Sequence, residues 1–324
     1  MQFIKVGKSI LNMYEYLQEL DSLKLNFDQG GLLLLNITIG FIMFGVSLDI
    51  KLEHFKQVFQ YPKSVLVGFF SQFLILPAVT FAILYILREH ITPGVALGMI
   101  LLASCPGGNI SNFISSLAKA NVALSVSLTA LATVGSIFLT PINFAFWGGL
   151  YAANSDLLVP LEIDAYEMIK TVIMLLGIPI IAGLLLAWKL PKITAKIKRP
   201  IKILSIVVFM ALVVVLFSKN FDYFINYILF IFILVLIHNG VALGTGFSLA
   251  KIFKLKEADT RTLTIETGIQ NSGLGLVLLF NPKIFPPELE LGGMAIILAW
   301  WGVWHILSGL GIAALWSRKK IKET

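Results

Sequence analysis

Long apolar stretches alternate with short polar loops along almost the whole chain. Most of the stretches are about 20 residues long, the length that a helix needs to cross the hydrocarbon core of a bilayer. The pattern therefore predicts an all-α polytopic membrane protein with nine transmembrane helices. The nine predicted spans are residues 31–49, 64–87, 95–118, 122–146, 165–188, 203–218, 223–250, 262–280 and 291–316.

The composition is typical of a membrane protein and argues against a soluble domain, a disulfide-bonded protein and a cysteine-based metal site. The chain has 324 residues, of which 57% are hydrophobic and 13% are charged, and its mean hydropathy is +0.88. A typical soluble domain is less apolar and more highly charged. The single cysteine, Cys105, excludes an internal disulfide and any metal site that is built from several cysteines.

The net charge of +7 reflects orientation in a lipid bilayer and does not indicate a nucleic-acid partner. Most basic residues lie in the short loops that follow odd-numbered spans, so the positive-inside rule places the N-terminus outside and the C-terminus in the cytoplasm. We expect a protein of the plasma membrane, which in a bacterium is the inner membrane, with a basic tail at 317–324. The basic residues assigned to the cytoplasmic face are Lys51, Lys56, Lys63, Lys119, Lys189, Lys192, Lys196, Lys198, Arg199, Lys202, Lys251, Lys254, Lys256, Arg261, Arg318, Lys319, Lys320 and Lys322.

Residues 1–30 carry too many charges to form a span and are expected to lie outside the membrane. Two interpretations remain open for this segment. It can be a frayed polar terminus, or it can be an amphipathic helix on the membrane surface. The apolar residues of that helix would be Phe3, Ile4, Ile10, Leu11, Tyr14 and Leu17.

Two of the spans are interrupted by polar breaks that contain glycine. The first break is residues 106–112 (PGGNISN), and the second is residues 266–273 (ETGIQNSG). Such residues are costly inside a membrane and are tolerated where the loosened backbone is buried in protein or lines a wet cavity. A break in each half of the chain indicates a transporter with a binding site near the middle of the bilayer.

The order of the spans indicates an internal repeat. The first four and the last four spans each read as a plain span, a span with a polar group, a broken span and a final span. Gln72 is the polar group in the first half, and His238 with Asn239 is the polar group in the second. The two broken spans, the third and the eighth, run in opposite directions, so we predict an inverted-topology repeat.

Glu266 is the only carboxylate predicted to lie deep within a span, and no Lys or Arg lies at a comparable depth. An isolated charge there is expensive, so the group is either protonated or bound to a cation. Ser125 and Thr129 share one helix face, and Ser111 and Asn112 open the second half of the first broken span. These oxygens suit a hard monovalent cation. A protonated glutamic acid with a packing role is the alternative.

A second oxygen-rich site is predicted beside the first. Gln270 follows Glu266 by four residues, and Gln72 in the second span is its natural partner. The loosened carbonyls of Glu266, Thr267 and Ile269 are further candidate ligands. The alternative for Gln72 is an interhelical hydrogen bond without a ligand.

The breaks also create helix N-termini inside the membrane, at residues 109–112 and near 271–273. Their free N–H groups and the positive end of the helix dipole favour an anion such as a carboxylate or sulfonate. Asn109 and Asn271 are the equivalent side chains best placed to bind it. We include their neighbours and one residue of the last span in the predicted substrate site, although a histidine there can also be purely structural. The additional residues are Ile110, Ser272 and His305.

Four motifs resemble those of the bile acid:sodium symporter family, in the nine-span form of the animal bile acid carriers. They are SCPGGNISN at 104–112, NVALSVSLT at 121–129, ETGIQNSG at 266–273 and VWH at 303–305, and the likeness runs from about 31 to 316. The resemblance implies a panel domain at 31–63 and 165–222. It also implies a core domain at 64–146 and 223–316, in which the two broken helices cross.

The resemblance also implies two sodium sites and a substrate class. One site corresponds to Ser111, Asn112, Ser125, Thr129 and Glu266, and the other to Gln72, Gln270 and carbonyls near Glu266. Family substrates are organic anions, either bile salts or smaller carboxylates such as pantoate or pyruvate. The chain departs from the family at Ile306, where relatives often have Asn beside the substrate cavity.

These features together predict a symporter that uses the sodium gradient to import an organic anion by alternating access. Na⁺ is the only metal expected, with two ions, and no catalytic residue is assigned. Three alternatives remain open. They are an anion transporter coupled to protons or to no cation, an anion sensor that does not transport, and an intramembrane enzyme with Glu266 and His305 as acid and base.

Overall fold

The computed structural model describes residues 13–22, 37–38, 40–45, 47–48, 53, 58–108, 110–155, 164–219, 221–281, 284–285 and 291–318. Every regular element within these ranges is helical. The prediction of an all-helical polytopic protein is confirmed, whereas the count of nine spans and the repeat stay predictions. Five described helices are long and apolar enough to cross a membrane, namely Pro62–Ile86, Val122–Ala152, Tyr166–Lys189, Leu229–Ile252 and Gly292–Ser317.

The described helices overlap the second to ninth predicted spans, and the third and eighth spans are each divided into two. The first predicted span, 31–49, lies partly outside the described residues. The third is divided between α3 and α4, and the eighth between α9 and α10. The helices named below are α1 (Met13–Asp21), α2 (Pro62–Ile86), α3 (Pro93–Ser104), α4 (Ile110–Leu117), α5 (Val122–Ala152), α6 (Tyr166–Lys189), α7 (Pro191–Lys219), α8 (Phe221–Ile252), α9 (Glu257–Gly268), α10 (Ser272–Leu279) and α11 (Gly292–Ser317).

Helix α7 starts well before residue 203, where the sixth span was predicted to begin. Its first residue is Pro191, and proline is favoured in the first turn because its missing N–H is not needed there. Part of the basic stretch assigned to a cytoplasmic loop is therefore helical.

Helix α2 contains a π turn at Ser71–Ile75, a feature often found at functional sites. Pro77 has no N–H, so the carbonyl of Phe73 loses its α-helical donor. Asn143 on α5 replaces that donor, and its Nδ2 lies 2.8 Å from Phe73 O. Gln72 lies in the same turn and is fully buried.

Helix α1 packs on protein through α3, α8 and α11. Leu17 and Leu20 are fully buried, so Leu17 does not face lipid as it would in a membrane-surface helix. Asp21 accepts a hydrogen bond from Gly94 N at 2.8 Å, at the start of α3, where a carboxylate is favourable. Of the other apolar residues proposed for that helix, only Tyr14 lies within the described part of the chain.

Helix α9 packs along α8 at backbone distance. A Cβ on Gly246 of α8 would lie 2.5 Å from Leu263 O, so only glycine permits this approach. The contact fixes the first half of the second broken span against an unbroken helix. The division into panel and core domains stays a prediction.

Candidate cation and anion sites at the helix crossover

The two polar breaks meet in the structure. Gly107 and Gln270 form an antiparallel β-bridge, and Asn271 N donates to Pro106 O at 2.8 Å. These bonds satisfy backbone groups that the helix ends would otherwise leave unpaired inside the membrane. We call this meeting point of the two breaks the crossover; the crossing of the broken helices that the resemblance implied stays a prediction.

Glycine at position 107 allows the two breaks to come this close. A Cβ added there would lie 3.0 Å from Glu266 O and 3.1 Å from Glu266 Oε2. Any larger residue would push against the carboxylate or the backbone of the second break. The crossover therefore depends on this residue.

The five residues predicted for the first sodium site come together around the buried Glu266 carboxylate. Ser111 Oγ lies 2.6 Å from Oε1, Ser125 Oγ lies 2.5 Å from it, and Thr129 Oγ1 lies 3.1 Å from both carboxylate oxygens. Asn112 Oδ1 lies 2.9 Å from Ser125 Oγ and 3.2 Å from Thr129 Oγ1. We call these five residues the Glu266 cluster.

Acceptors outnumber protons in the Glu266 cluster. Its three hydroxyl groups carry one proton each. They face both carboxylate oxygens and Asn112 Oδ1, and Thr129 Oγ1 also lies 3.0 Å from Ser125 O. Oxygen lone pairs therefore converge on one small region, which is the donor set that a hard cation prefers. The residues present fit Na⁺.

The buried Arg261 does not neutralise this cluster. It lies on the same helix as Glu266, but its Nη1 donates to Ala118 O at 2.9 Å and to Trp316 O at 3.2 Å. Its ion pair, at 3.4 Å, is with Glu257 in the first turn of α9. Among the described residues, no ion pair involves Glu266.

The residues predicted for the second sodium site lie on the same crossover. Gln72 lies beside the Glu266 carboxylate, and its Oε1 is 3.4 Å from Gly107 N. Gln270 donates from Nε2 to Thr267 O at 2.7 Å. Its Oε1 is buried and has no hydrogen-bond partner among the described residues. We call Gln72 and Gln270 the glutamine pair.

The backbone carbonyls of this second site already accept hydrogen bonds. Ile269 O accepts from Gly108 N at 2.6 Å, in addition to the bond that Thr267 O accepts from Gln270. A carbonyl oxygen has two lone pairs, so each can accept a hydrogen bond and still bind a cation. These carbonyls therefore keep a lone pair for a cation, and the second sodium site stays a prediction.

The predicted substrate residues are distributed around the two helix starts. Ile110 begins α4, and Asn271 caps α10 by accepting a hydrogen bond from Leu274 N at 3.1 Å. Ser272 and His305 are buried, and His305 hydrogen-bonds the backbone of Gln270. Asn109 lies outside the described residues.

Two asparagines near the crossover were not assigned a role in the sequence analysis. Asn239 donates from Nδ2 to Gly268 O at 2.8 Å, and Asn143 donates to Phe73 O. The sequence marks Asn239 only as part of a polar pair with His238, and His238 Nε2 lies 2.9 Å from Thr80 Oγ1. Pro77 indicates that a residue such as Asn143 is needed, because a proline has no N–H to donate to the carbonyl four residues earlier.

Comparison with known proteins gives a family and several relatives. The family model described as Sodium Bile acid symporter family matches residues 36–227, more than half of the chain. The chain is 32% identical over 292 residues to an uncharacterized sodium-dependent transporter, YocS, of Bacillus subtilis (strain 168), covering 89% of this chain and 84% of the relative.

Two further relatives come from a plant and an animal. A probable chloroplastic sodium/metabolite cotransporter, BASS2, of Oryza sativa subsp. japonica is 30% identical over 277 residues, which are 82% of this chain and 64% of the relative. A sodium-dependent organic anion transporter of Mus musculus is 25% identical over 289 residues, which are 89% of this chain and 74% of the relative.

These matches confirm the resemblance that the four motifs indicated. The family consists of transporters, so the protein is an integral membrane transporter and not an enzyme. This removes the intramembrane enzyme from the alternatives. The chain belongs to the sodium bile acid symporter family.

Proposed function

We propose that the protein is a sodium-coupled secondary-active symporter that imports an organic anion by alternating access. The observation that carries the proposal is the Glu266 cluster. In it, the oxygens of a fully buried carboxylate and their neighbours can accept more hydrogen bonds than the three hydroxyl groups can donate. Sodium enters the scheme as a transported co-substrate. The relatives from Bacillus subtilis and Mus musculus, each described as a sodium-dependent transporter, support it.

The first proposed ion binds within the Glu266 cluster, where its charge compensates the buried carboxylate. The second binds between the glutamine pair and the carbonyls of Glu266, Thr267 and Ile269. The unpartnered Oε1 of Gln270 supports a cation there, because a buried amide oxygen without a donor costs free energy. Both ions would draw the two breaks together at the crossover.

The anion binds on the opposite side of the breaks, at the N-termini of α4 and α10. The positive ends of the two helix dipoles favour a carboxylate or sulfonate at this position. We assign the contacts to Asn109, Ile110, Asn271, Ser272 and His305. Ile306, next to His305, adds an apolar side chain to this side of the site.

Coupling between ions and anion follows from their shared crossover. Sodium binding stabilises the paired breaks, and the paired breaks present the two helix N-termini to the anion. The effects on affinity must be reciprocal, so the anion must also tighten sodium binding. We retain nine spans, with the N-terminus outside and the C-terminus in the cytoplasm. Motion of the core against the panel would expose the site to each side in turn, and the inward sodium gradient would drive both solutes inward.

Uptake into liposomes that contain the purified protein tests the proposal. A panel of anions, including a bile salt, pantoate and pyruvate, is first screened by thermal shift in sodium, because ligands of the native state raise its apparent stability. Uptake of each stabilising anion is then measured with sodium, potassium or choline outside. We expect uptake in sodium alone and a larger thermal shift when sodium and anion are present together.

Undiminished uptake in choline would contradict sodium coupling. Uptake that follows an imposed pH difference and ignores sodium would instead favour proton coupling at Glu266. Binding of an anion without uptake in any cation would favour a sensor.

A further inference from the structure

Two asparagine side chains donate hydrogen bonds to backbone carbonyls at irregular points of two helices, which are the π turn of α2 and the end of α9. Asn143 on α5 reaches Phe73 O in α2, and Asn239 on α8 reaches Gly268 O at the end of α9, both at 2.8 Å. Asn239 is buried, with 1% of its surface exposed, and Asn143 is half-buried. Both bonds link different helices.

The first carbonyl needs a donor because of a proline. Pro77 stands four residues after Phe73 and has no N–H, so the α-helical bond to Phe73 O is missing. An unpaired carbonyl inside a membrane is costly. Asn143 supplies the donor from a neighbouring helix and thereby fixes the π turn that contains Gln72.

The second carbonyl needs a donor because the helix ends. Gly268 is the last residue of α9, and the final carbonyls of a helix have no partner within it. Asn239 supplies one of the missing donors. Asn239 therefore holds the Gly268 carbonyl towards α8. The carbonyls on either side of it, those of Thr267 and Ile269, accept from Gln270 Nε2 and Gly108 N.

We propose that Asn143 and Asn239 are positioning residues for the second sodium site. Each bonds the carbonyl of a residue next in the chain to a proposed ligand: Phe73 follows Gln72, and Gly268 lies between Thr267 and Ile269. The two amides therefore set the orientation of the side chain and the carbonyls that bind the ion, without contacting it. This inference rests on the proposed sodium-coupled function.

The test compares Asn143→Ala and Asn239→Ala with a matched control, Thr80→Val. Thr80 is buried and bonds His238, the neighbour of Asn239, so the control removes an interhelical bond between α2 and α8 without touching either carbonyl. Uptake is measured in a sodium titration at constant ionic strength. Loss of one neutral hydrogen bond that orients a ligand corresponds to a fall in affinity of up to roughly fivefold.

We therefore expect each asparagine variant to raise the sodium concentration for half-maximal uptake roughly two- to fivefold. The maximal rate at saturating sodium should stay close to that of the native protein. The sodium dependence should also become less steep, because the second ion is the one affected. Thr80→Val should leave both the midpoint and the steepness unchanged, whatever it does to the melting temperature.

Partial rescue separates positioning from simple support of the fold. Asn143→Ser and Asn239→Ser retain a hydroxyl donor and should have midpoints between those of the native and alanine variants. They also provide the test if the alanine variants do not fold. Alanine or serine variants that change only the melting temperature, with the native sodium midpoint and steepness, would overturn the inference.

The proposed function and this inference fail in different ways. If native uptake is independent of sodium, the proposed function fails and the inference fails with it. If native uptake depends steeply on sodium and the asparagine variants keep that dependence, only the inference fails.

Discussion

The Glu266 cluster and the glutamine pair lie on the same crossover, but they use their polar atoms differently. In the cluster, three hydroxyl groups surround a carboxylate, and the contacts to that carboxylate run between side chains. In the glutamine pair, neutral amides work beside backbone carbonyls, and Gln270 Oε1 has no hydrogen-bond partner among the described residues. If both bind sodium as proposed, the first arrangement would select the cation by charge. The second would select it by the direction of carbonyl dipoles.

Because of this difference, we expect substitutions to affect sodium binding differently in the two regions. A site held by charge depends on a few side chains and loses its function when the charge is removed. A site held by carbonyl direction depends on how helices are braced, so residues outside the site can weaken it and no single side chain should abolish it. The following predictions test the contrast.

The largest effect is expected for Glu266→Gln. Removing one partner of a buried charged interaction costs about 3–5 kcal/mol, which corresponds to a loss in sodium affinity of roughly 100-fold or more. Sodium-dependent uptake and the thermal shift with sodium should both disappear while the protein still folds. The matched control is Glu257→Gln, because Glu257 begins the same helix but pairs with Lys251 at 2.9 Å. If Glu266→Gln keeps its sodium dependence, the charge of Glu266 is not needed for sodium binding at the first site, and the proposed role of this carboxylate is wrong.

A smaller effect is expected for Ser125→Ala. Its hydroxyl group bonds the carboxylate, and a hydrogen bond to a charged group contributes about 1.5–3 kcal/mol, so sodium affinity should fall roughly tenfold or more. Ser127→Ala is the control, because Ser127 is buried on the same helix and its hydroxyl bonds Ala123 O at 2.8 Å. Equal sodium midpoints for the two variants in an uptake titration would contradict the assigned role of Ser125.

The smallest of these effects is expected for Gln270→Ala. Loss of a neutral hydrogen-bonding group contributes about 1 kcal/mol, or roughly fivefold in affinity. The sodium titration should become less steep while uptake at saturating sodium persists. Complete loss of uptake would show that the glutamine pair is as indispensable as Glu266, and the contrast between the two regions would fail.

The sequence located the crossover well because its chemistry is local. Ser125 and Thr129 are one helical turn apart, so their shared face follows from periodicity alone. Glu266 stands out because an acidic residue within an apolar stretch is expensive. The resemblance to the family then joined residues that are far apart in the chain. The packing of the Glu266 cluster agrees with that grouping, while its sodium-binding role remains a prediction.

Other features could not be obtained in this way. The packing of α1 on α3, α8 and α11 depends on which surface its apolar face finds, and periodicity predicts an apolar face without naming its partner. Asn143 and Phe73 are 70 residues apart, and only the packing of α5 on α2 brings them together. The proline signalled that a donor was needed but not which residue supplies it.

The sequence by itself determined that this is a helical membrane protein with two polar breaks and one deeply placed carboxylate. The length of an apolar stretch and the presence of a charged residue within it are local properties, so the sequence shows both directly. Only the tertiary structure decided how the breaks meet. The bridge between Gly107 and Gln270 and the amide bonds from Asn143 and Asn239 depend on distances of a few ångströms between helices, which side-chain packing sets and no sequence period encodes.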